Sequence, residues 1–550
     1  MKNLILLTTV LLFLSGVLYS CADLTDSVTD TALGNEVFDN PGAGEQSLAP
    51  SYAMMQSMLG AHNWLNNLQG VSSIEQIVPN RGGTDWFDSG RFFEMHQHTW
   101  SPQHVTIIDV WGSTAQGIGR AAIAEKTLED VGASDALKAE ARGLKAVYNW
   151  WLLDLWDIAF EKSPEDVGTT NLSTVFTGEE AADYLLSELD EIENQLPTVS
   201  QVGETRFTQS AAKALKARIL INKAVYADRY GDNRTHDTSD MQSVIDYTTE
   251  LIDDGQFQLE NENYFYLFGK ENDGNPEVIF SFDQDSRTGG IRNMAYFHAS
   301  RDRHGSLIHN KTGSDGGALT QEFYDLWEGW RDDPRFFHRY LPDGGTVTDE
   351  EFRWNRGVQI GQQYGIIRVP GSAIEYERDE NGDLLILPLV DHSRSGDDMI
   401  YTREVGLESD NGHVAGTRSL KWDMDRTSPG GSSEINISLF RLGEMYLMRA
   451  EANARLGNWD EALSDLNELR DARGARPLLS EELDTFEELE REYIFEMYQE
   501  HLTRTVQIRY NSWEDSWRDK TSTDVNKRVF PIPQRAIDAG NGFLTQNRGY

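Results

Sequence analysis

The sequence predicts a mainly α protein: a scaffold of helix pairs, with long irregular loops and small β-hairpins on one side. Three observations carry that prediction. Apolar residues recur at helical spacing in segment after segment between residues 51 and 254, and again after residue 435. Late in the chain, two such segments are joined only by Gly457-Asn458, the short link of an antiparallel helix pair. Between the helical regions lie two stretches, 256–319 and 343–434, rich in Gly, Asp, Asn and turn dipeptides. Loops of such length in a compact domain tend to be functional.

The chain opens with Lys2 and an apolar run from Leu4 to Leu18, so residues 1–20 read as a lipoprotein signal peptide. Leu18-Tyr19-Ser20-Cys21 resembles a bacterial lipobox, with Tyr19 standing where a small residue is usual. Cys21 is the only cysteine of the 550 residues and has no disulfide partner, so lipidation is its expected use. An ordinary cleaved signal followed by a chance cysteine is the alternative. One acyl chain binds a membrane marginally, whereas several hold firmly. No later apolar run approaches the roughly 20 residues of a spanning helix, so membrane contact is expected through lipid alone. Residues 21–46, rich in Asp, Thr, Ser, Gly and Asn, read as a flexible tether.

The helices follow in order. Ser51–Leu68 carries Tyr52, Met55, Leu59 and Trp64 near helical spacing, and Val105–Leu128 continues with Ile108, Trp111, Ile118 and Ala122. Asp135–Asp157 has a wide apolar stripe through Leu144, Tyr148, Trp151 and Leu155. Gly178–Leu196 is its expected partner. Thr208 is positioned to cap a helix through Ala227, which pairs with Met241–Asp254. Ile435–Leu456 and Trp459–Arg473 resemble a tetratricopeptide helix–turn–helix, with Ala450 and Ala462 allowing close approach. Phe440, Tyr446 and Met448 in that pair read as core. A last helix is expected over Phe486–Leu502. Asn381-Gly382, between Tyr376 and Leu384-Leu385-Ile386-Leu387, predicts a small hairpin. The body divides into residues 47–255 and 256–550, the latter including the pair 435–473.

A formal net charge of −41 argues against nucleic acid as a partner, because phosphates require Lys and Arg. The loop from Arg81 to Arg91, with Gly82, Gly83, Asp85, Trp86, Phe87 and Asp88, is the most suggestive local feature. Aromatic faces accept the apolar face of a sugar, and Asp or Arg bonds its hydroxyls. Alternatively, Trp86 and Phe87 plug the loop onto the scaffold. His96, His98 and His104, and likewise His298, His304 and His309, cluster without a zinc-hydrolase spacing, so hydrogen-bonded histidines are expected and no metal or cofactor is assigned. Asp379 to Asp383 lacks the ligand pattern of a calcium loop and reads as a turn. Glycosidase chemistry needs two facing carboxylates, and among 90 Asp and Glu the sequence singles out no pair. No nucleophile elbow, P-loop or Rossmann pattern is present, so no catalytic residue is assigned.

An ordered set of segments carries a resemblance. It comprises the lipobox cysteine; Glu75–Trp86 followed by His98-Thr99-Trp100-Ser101-Pro102; Ala139–Ala146; Asp332-Asp333-Pro334-Arg335; Phe440–Ala452; and the tail from Val529 to Gln534 and Leu544 to Tyr550. Together they resemble the SusD/RagB family of outer-membrane nutrient-binding lipoproteins. That resemblance implies four tetratricopeptide-like helix pairs and a loop-rich ligand side. It also implies a non-enzymatic role as a lid over a SusC-type TonB-dependent transporter at the cell surface. The ligand is usually a glycan, with peptides or protein fragments as the alternative cargo. A surface glycoside hydrolase is the third reading. Carried over by residue, the ligand loop falls on Arg81, Asp85, Trp86 and Phe87, with Tyr296, Trp330 and Tyr340 as central-region candidates. Trp327 is as readily a packing residue, and Trp354 is either an exposed binding residue or a buried hairpin residue.

Overall fold

The computed structural model describes residues 41–60, 62–82, 85–284, 294–300, 305–306, 311–367, 369–370, 372, 375–390, 396–408, 412–424 and 433–550. The expected signal peptide, Cys21 and the tether as far as residue 40 lie outside the described residues, as do His304 and His309.

The scaffold runs through α1 (Ala49–Gly60), α2 (Val105–Asp130), α3 (Asp135–Trp156), α4 (Gly178–Ile192), α5 (Gln209–Ala227), α6 (Thr238–Asp253), α7 (Leu442–Arg455), α8 (Trp459–Ala472), α9 (Phe486–Met497) and α10 (Thr503–Tyr510). Each of the first seven packs on the next, so α6 meets α7 although the long loops separate them in sequence. Small residues set the close crossings. A Cβ on Gly117 of α2 would lie 2.2 Å from the Tyr148 ring of α3, and one on Gly143 would lie 2.2 Å from the Phe207 ring. Ala450 and Ala462 are fully buried between α7 and α8, and Gly457 turns the chain at φ 85°. Thr208 caps α5 as expected, its hydroxyl accepting from Ala211 N at 3.3 Å. α6 starts three residues before Met241 because the Asp237 carboxylate accepts from Ser239 N at 2.7 Å. The C-terminal tail closes the scaffold: Trp156 Nε1 donates to Pro531 O, and Trp100 Nε1 to the Tyr550 hydroxyl.

Three expected helices differ from the observed elements. Ser51–Leu68 stops at Gly60, and the chain later forms a π-helical turn at Asn67–Val71. Buried Asn67 and Gln69 there donate to Thr106, Asp154 and Thr505, pairing polar groups that burial would otherwise strand. Ile435–Leu456 divides into a strand, Ile437–Arg441, and α7. The strand pairs antiparallel with Val278–Phe282, and both strands are buried throughout. Phe486–Leu502 ends at Met497. Buried cations take the backbone carbonyls that would extend it: Lys421 Nζ binds Glu496 O (2.9 Å) and Tyr498 O (2.7 Å), and Arg441 binds Glu496 O (2.8 Å).

The two loop-rich stretches fold into small antiparallel sheets. One joins Phe337–His338, Arg356–Gln359 and Arg418–Leu420; another joins Gly345–Val347, Leu384–Pro388 and Tyr364–Ile366. The expected hairpin forms at Asn381-Gly382. Asp379 spends its carboxylate on Asn381 N and Asp383 N (2.9 Å each), as a turn residue does. Trp354 is buried edge-on against Phe352, and Trp327 stacks on Phe495 at 3.5 Å. Both are packing residues.

Loops and scaffold are locked together by a dry ionic cluster. Arg335, Lys421, Arg441, Arg470 and Arg473 interleave with Glu277, Asp333, Glu492, Glu496 and Glu500, and none is more than 3% exposed in its side chain.

Candidate functional site

The Arg81–Arg91 loop leaves a short strand, Gln76–Ile77, that pairs with Ala318–Leu319. Its base is fastened by Asn80 N to Leu407 O at 2.7 Å, and its own turn by Asp85 N to Gly82 O at 3.1 Å. The backbone then takes an unusual course. Trp86, Asp88 and Ser89 have φ of 62°, 41° and 58°, flanked by Gly82 and Gly90 at 114° and 84°. Each left-handed non-glycine residue costs about 1–3 kcal/mol and persists only where its surroundings hold it; such residues cluster at functional sites.

What holds this loop is aromatic packing. Trp86 is half-buried, with Phe297 (5.4 Å between ring centroids), His62 (5.6 Å) and Phe92 (6.1 Å) around it. His62 in turn stacks on Phe297 at 4.6 Å. The indole Nε1 donates to Ser314 O at 3.0 Å. The facing segment is glycine-rich because nothing larger fits: a Cβ on Gly316 would meet Phe297 at 2.5 Å and Trp86 at 2.8 Å. Phe87, 39% exposed, stands outward with Phe93 at its edge (5.5 Å), and Arg91 pairs with Asp88 at 2.9 Å. The result is a rigid rim carrying one half-buried and one exposed aromatic ring, bordered by Asp85 and Asp88. Such a rim can stack on a flat apolar ligand face and bond to hydroxyls around it.

The sequence-derived candidates separate into two groups. Arg81, Asp85, Trp86, Phe87 and Tyr296 come together. Arg81 is buried and donates to Gly412 O and Ala415 O (3.1 Å each), reaching Gly316 O and Gly317 O at 3.5 Å. It staples three loops beneath the rim. Asp85 is half-buried and its carbonyl accepts from Arg81 N. Tyr296 is half-buried on the short helix Met294–His298, and its carbonyl accepts from Ser314 N at 2.8 Å. Ser314 therefore bridges Tyr296 and Trp86. Trp330 and Tyr340 lie elsewhere. Trp330 is buried beside α8 and α9 under the guanidinium groups of Arg476 (3.9 Å), Arg470 and Arg491. Tyr340 follows the edge strand Phe337–His338, and its hydroxyl accepts from Asn263 at 2.6 Å.

Sequence reasoning missed His62, Phe92 and Phe297. The Tyr296-Phe297 pair was visible, but the phase of a five-residue helix decides which ring turns inward. His298 behind it is buried; one ring nitrogen meets Gln76 Oε1 (3.1 Å) and the other accepts from Ser419 N (3.4 Å). Burial, then Arg418 and Arg81, hold its pKa well below the ordinary value, so it stays neutral. His96, His98 and His104 set one ring nitrogen each against the carbonyls of Arg518, Ser72 and Arg91. Burial lowers all three, His104 to about 4. They are hydrogen-bonded packing residues.

Residues 276–505 match the SusD family. The chain is 25% identical over 446 residues to the starch-binding protein SusD of Bacteroides thetaiotaomicron, covering 75% of this chain and 72% of that one. A laminarin-binding SusD-like protein has the same fold, with TM-score 0.64, 19% identity and 92% and 99% of the two chains covered. So does a SusD-like protein from Bacteroides fragilis (TM-score 0.65, 16% identity, 93% and 98% covered). A third is surface glycan-binding protein A from Bacteroides thetaiotaomicron in complex with laminarihexaose (TM-score 0.58, 16% identity, 92% and 98% covered). The helix-pair scaffold with its loop-rich face is thus the SusD-like fold. In sequence over residues 276–505, and in fold over most of its length, the chain is similar to proteins of the SusD family.

Proposed function

We propose that this protein captures oligosaccharides on the Trp86–Phe87 rim and delivers them to a SusC-type TonB-dependent transporter, performing no catalytic step itself. The single observation that carries the reading is the strained loop that holds Trp86 against Phe297 and His62 while leaving Phe87 exposed. The names of its relatives, a starch-binding protein and laminarin- and glycan-binding proteins, support the same cargo class. Asp85 and Tyr296 join Trp86 and Phe87 as contacts, and Arg81 acts by fixing the loops beneath them.

We read the protein as held at the outer face of the outer membrane by lipid on Cys21. Among the described residues no helix is long and apolar enough to cross a membrane. A glycan array, followed by incubation of each bound glycan and analysis of its length, tests the reading. Binding without cleavage is expected. An array without hits would remove the cargo class, and shortened glycans would remove the non-enzymatic role. Replacing Cys21 with Ala should release the protein from the membrane fraction with glycan binding intact; retention there would refute the lipid anchor.

A further inference from the structure

Residues 313–317 join the helix that carries Tyr296 to the loop that carries Trp86. On one side their N–H groups zip onto carbonyls at the end of the Met294–His298 helix. Gly313 N donates to Ser300 O (2.9 Å), Ser314 N to Tyr296 O (2.8 Å) and Asp315 N to Ala299 O (3.0 Å), while Gly316 N and Gly317 N share Phe297 O (2.9 and 3.0 Å). On the other side, Ser314 O takes the indole N–H of Trp86, and Arg81 approaches the carbonyls of Gly316 and Gly317. So close a seam excludes side chains. A Cβ on Gly313 would stand 2.0 Å from Ala299 O, and one on Gly317 would stand 2.8 Å from both the Phe297 ring and His298 Nε2. Asp315 takes a left-handed φ of 56°, a conformation that persists only where its surroundings hold it.

At Gly316 the obstacle is the rim itself. A Cβ there would lie 2.5 Å from the Phe297 ring and 2.8 Å from Trp86 Cζ2, closer than carbon atoms pack, so a ring would have to move. The backbone raises no objection of its own, since Gly316 is not in the left-handed region. Burial decides which ring yields. Phe297 is buried, stacked on His62 at 4.6 Å, and its carbonyl is held by two N–H groups of the facing segment. Trp86 is half-buried and has solvent on its outer side. The indole is the ring that gives way.

We propose that Gly316 is a positioning residue of the glycan platform, an inference that rests on the reading of the Trp86–Phe87 rim as that platform. By carrying no side chain, Gly316 lets the indole seat against Phe297 and the Ser314 carbonyl, so the stacking face is set before a glycan arrives. Position matters more here than at an aromatic residue with a free polar end. The indole N–H is already taken by Ser314 O, so Trp86 offers a ligand its ring and no donor. Dispersion falls steeply with distance: a gap of about 0.5–1 Å forfeits roughly a quarter to a half of each contact. A methyl group behind the ring would misplace the whole face at once.

The test is isothermal titration with laminarihexaose, maltohexaose and the tightest array glycan. It is run on the parent, Trp86→Ala and Trp86→Phe, each with and without Gly316→Ala, with Tm measured on every chain. Phenylalanine keeps a stacking ring but lacks the Cζ2 atom that the methyl would meet. Gly316→Ala should weaken binding about threefold or more in the parent and less than about twofold in either Trp86 variant, because coupled neighbours are non-additive whereas independent sites add. An equal loss in all three backgrounds, or none in the parent, would overturn the proposal while leaving the platform reading intact. Parental affinity in Trp86→Ala, or no binding by the parent, would instead remove the platform reading and the proposal with it. Should Gly316→Ala fail to fold as a single variant, the Trp86→Phe pair decides, and a loss under about twofold there upholds the proposal. Failure to fold in that background too would overturn it, because the glycine would then serve the fold and not the indole.

Discussion

Glu496→Gln is the sharpest structural test, because it removes one charge from the centre of the buried ionic cluster without changing shape. Glu496 Oε1 accepts from Arg441 at 2.5 Å and Arg473 at 2.8 Å, and Oε2 from Arg335 at 3.3 Å. Burial opposes its ionisation, but Arg473, Arg441 and Arg335 outweigh that and hold the carboxyl well below its ordinary range. The five cations and five carboxylates of the cluster balance, so the glutamine leaves one uncompensated positive charge in a dry interior. Breaking a buried pair in this way costs about 3–5 kcal/mol. Unfolding entropy near 2.1 cal/mol/K per residue over about 500 residues is roughly 1 kcal/mol/K, so Tm should fall by about 3–5 °C. Differential scanning calorimetry at pH 7 measures this, with Glu482→Gln as control. Glu482 pairs with Arg476 at the surface, where a pair contributes about 1 kcal/mol or less. The sign with pH follows from the lowered pKa. The stabilisation is complete above the ordinary carboxylate value, near 4.5, and is lost as pH falls through the folded value. The gap between parent and variant should therefore narrow only in acid. A Tm drop no larger than that of Glu482→Gln would show that the Glu496 charge is not needed to balance the cluster.

Two further outcomes follow from other sites. Burial raises Glu490 to about 7, opposed by the Ser512 hydroxyl, so its ionisation destabilises the fold as pH rises from about 4.5 to 7. Glu490→Gln should raise Tm by about 2 °C at pH 8 and by almost nothing at pH 5; a gain that is the same at both pH values would contradict this. Gly117→Ala should lower Tm by about 1–3 °C through overpacking against Tyr148, and an unchanged Tm would show that α2 and α3 have room to part.

The scaffold was legible because helical periodicity is a local signal. α2, α3, α5 and α8 fall within a few residues of their expected bounds, and Thr208 names its own cap. Legibility failed where distant partners decide. Ile437–Arg441 is a strand because Val278–Phe282 lies beside it, and α9 stops at Met497 because Lys421 and Arg441 claim its carbonyls. The site shows the same division. Trp86 and Phe87 could be picked from their own loop, whereas Phe297 and His62 become its support only through a fold that brings three segments together. Arg81 was visible as a residue but not as a staple, since its acceptors, the carbonyls of Gly412 and Ala415, have no sequence signature.

The Trp86–Phe87 rim is the proposed oligosaccharide platform. Isothermal titration of the best array glycan against the parent, Trp86→Ala and Phe87→Ala tests it most directly, with Tm measured on each. Aromatic stacking is worth about 0.5–1.5 kcal/mol beyond the area it buries, so each variant should bind at least about 2- to 13-fold more weakly while remaining folded. Parental affinity in both folded variants would place the platform elsewhere.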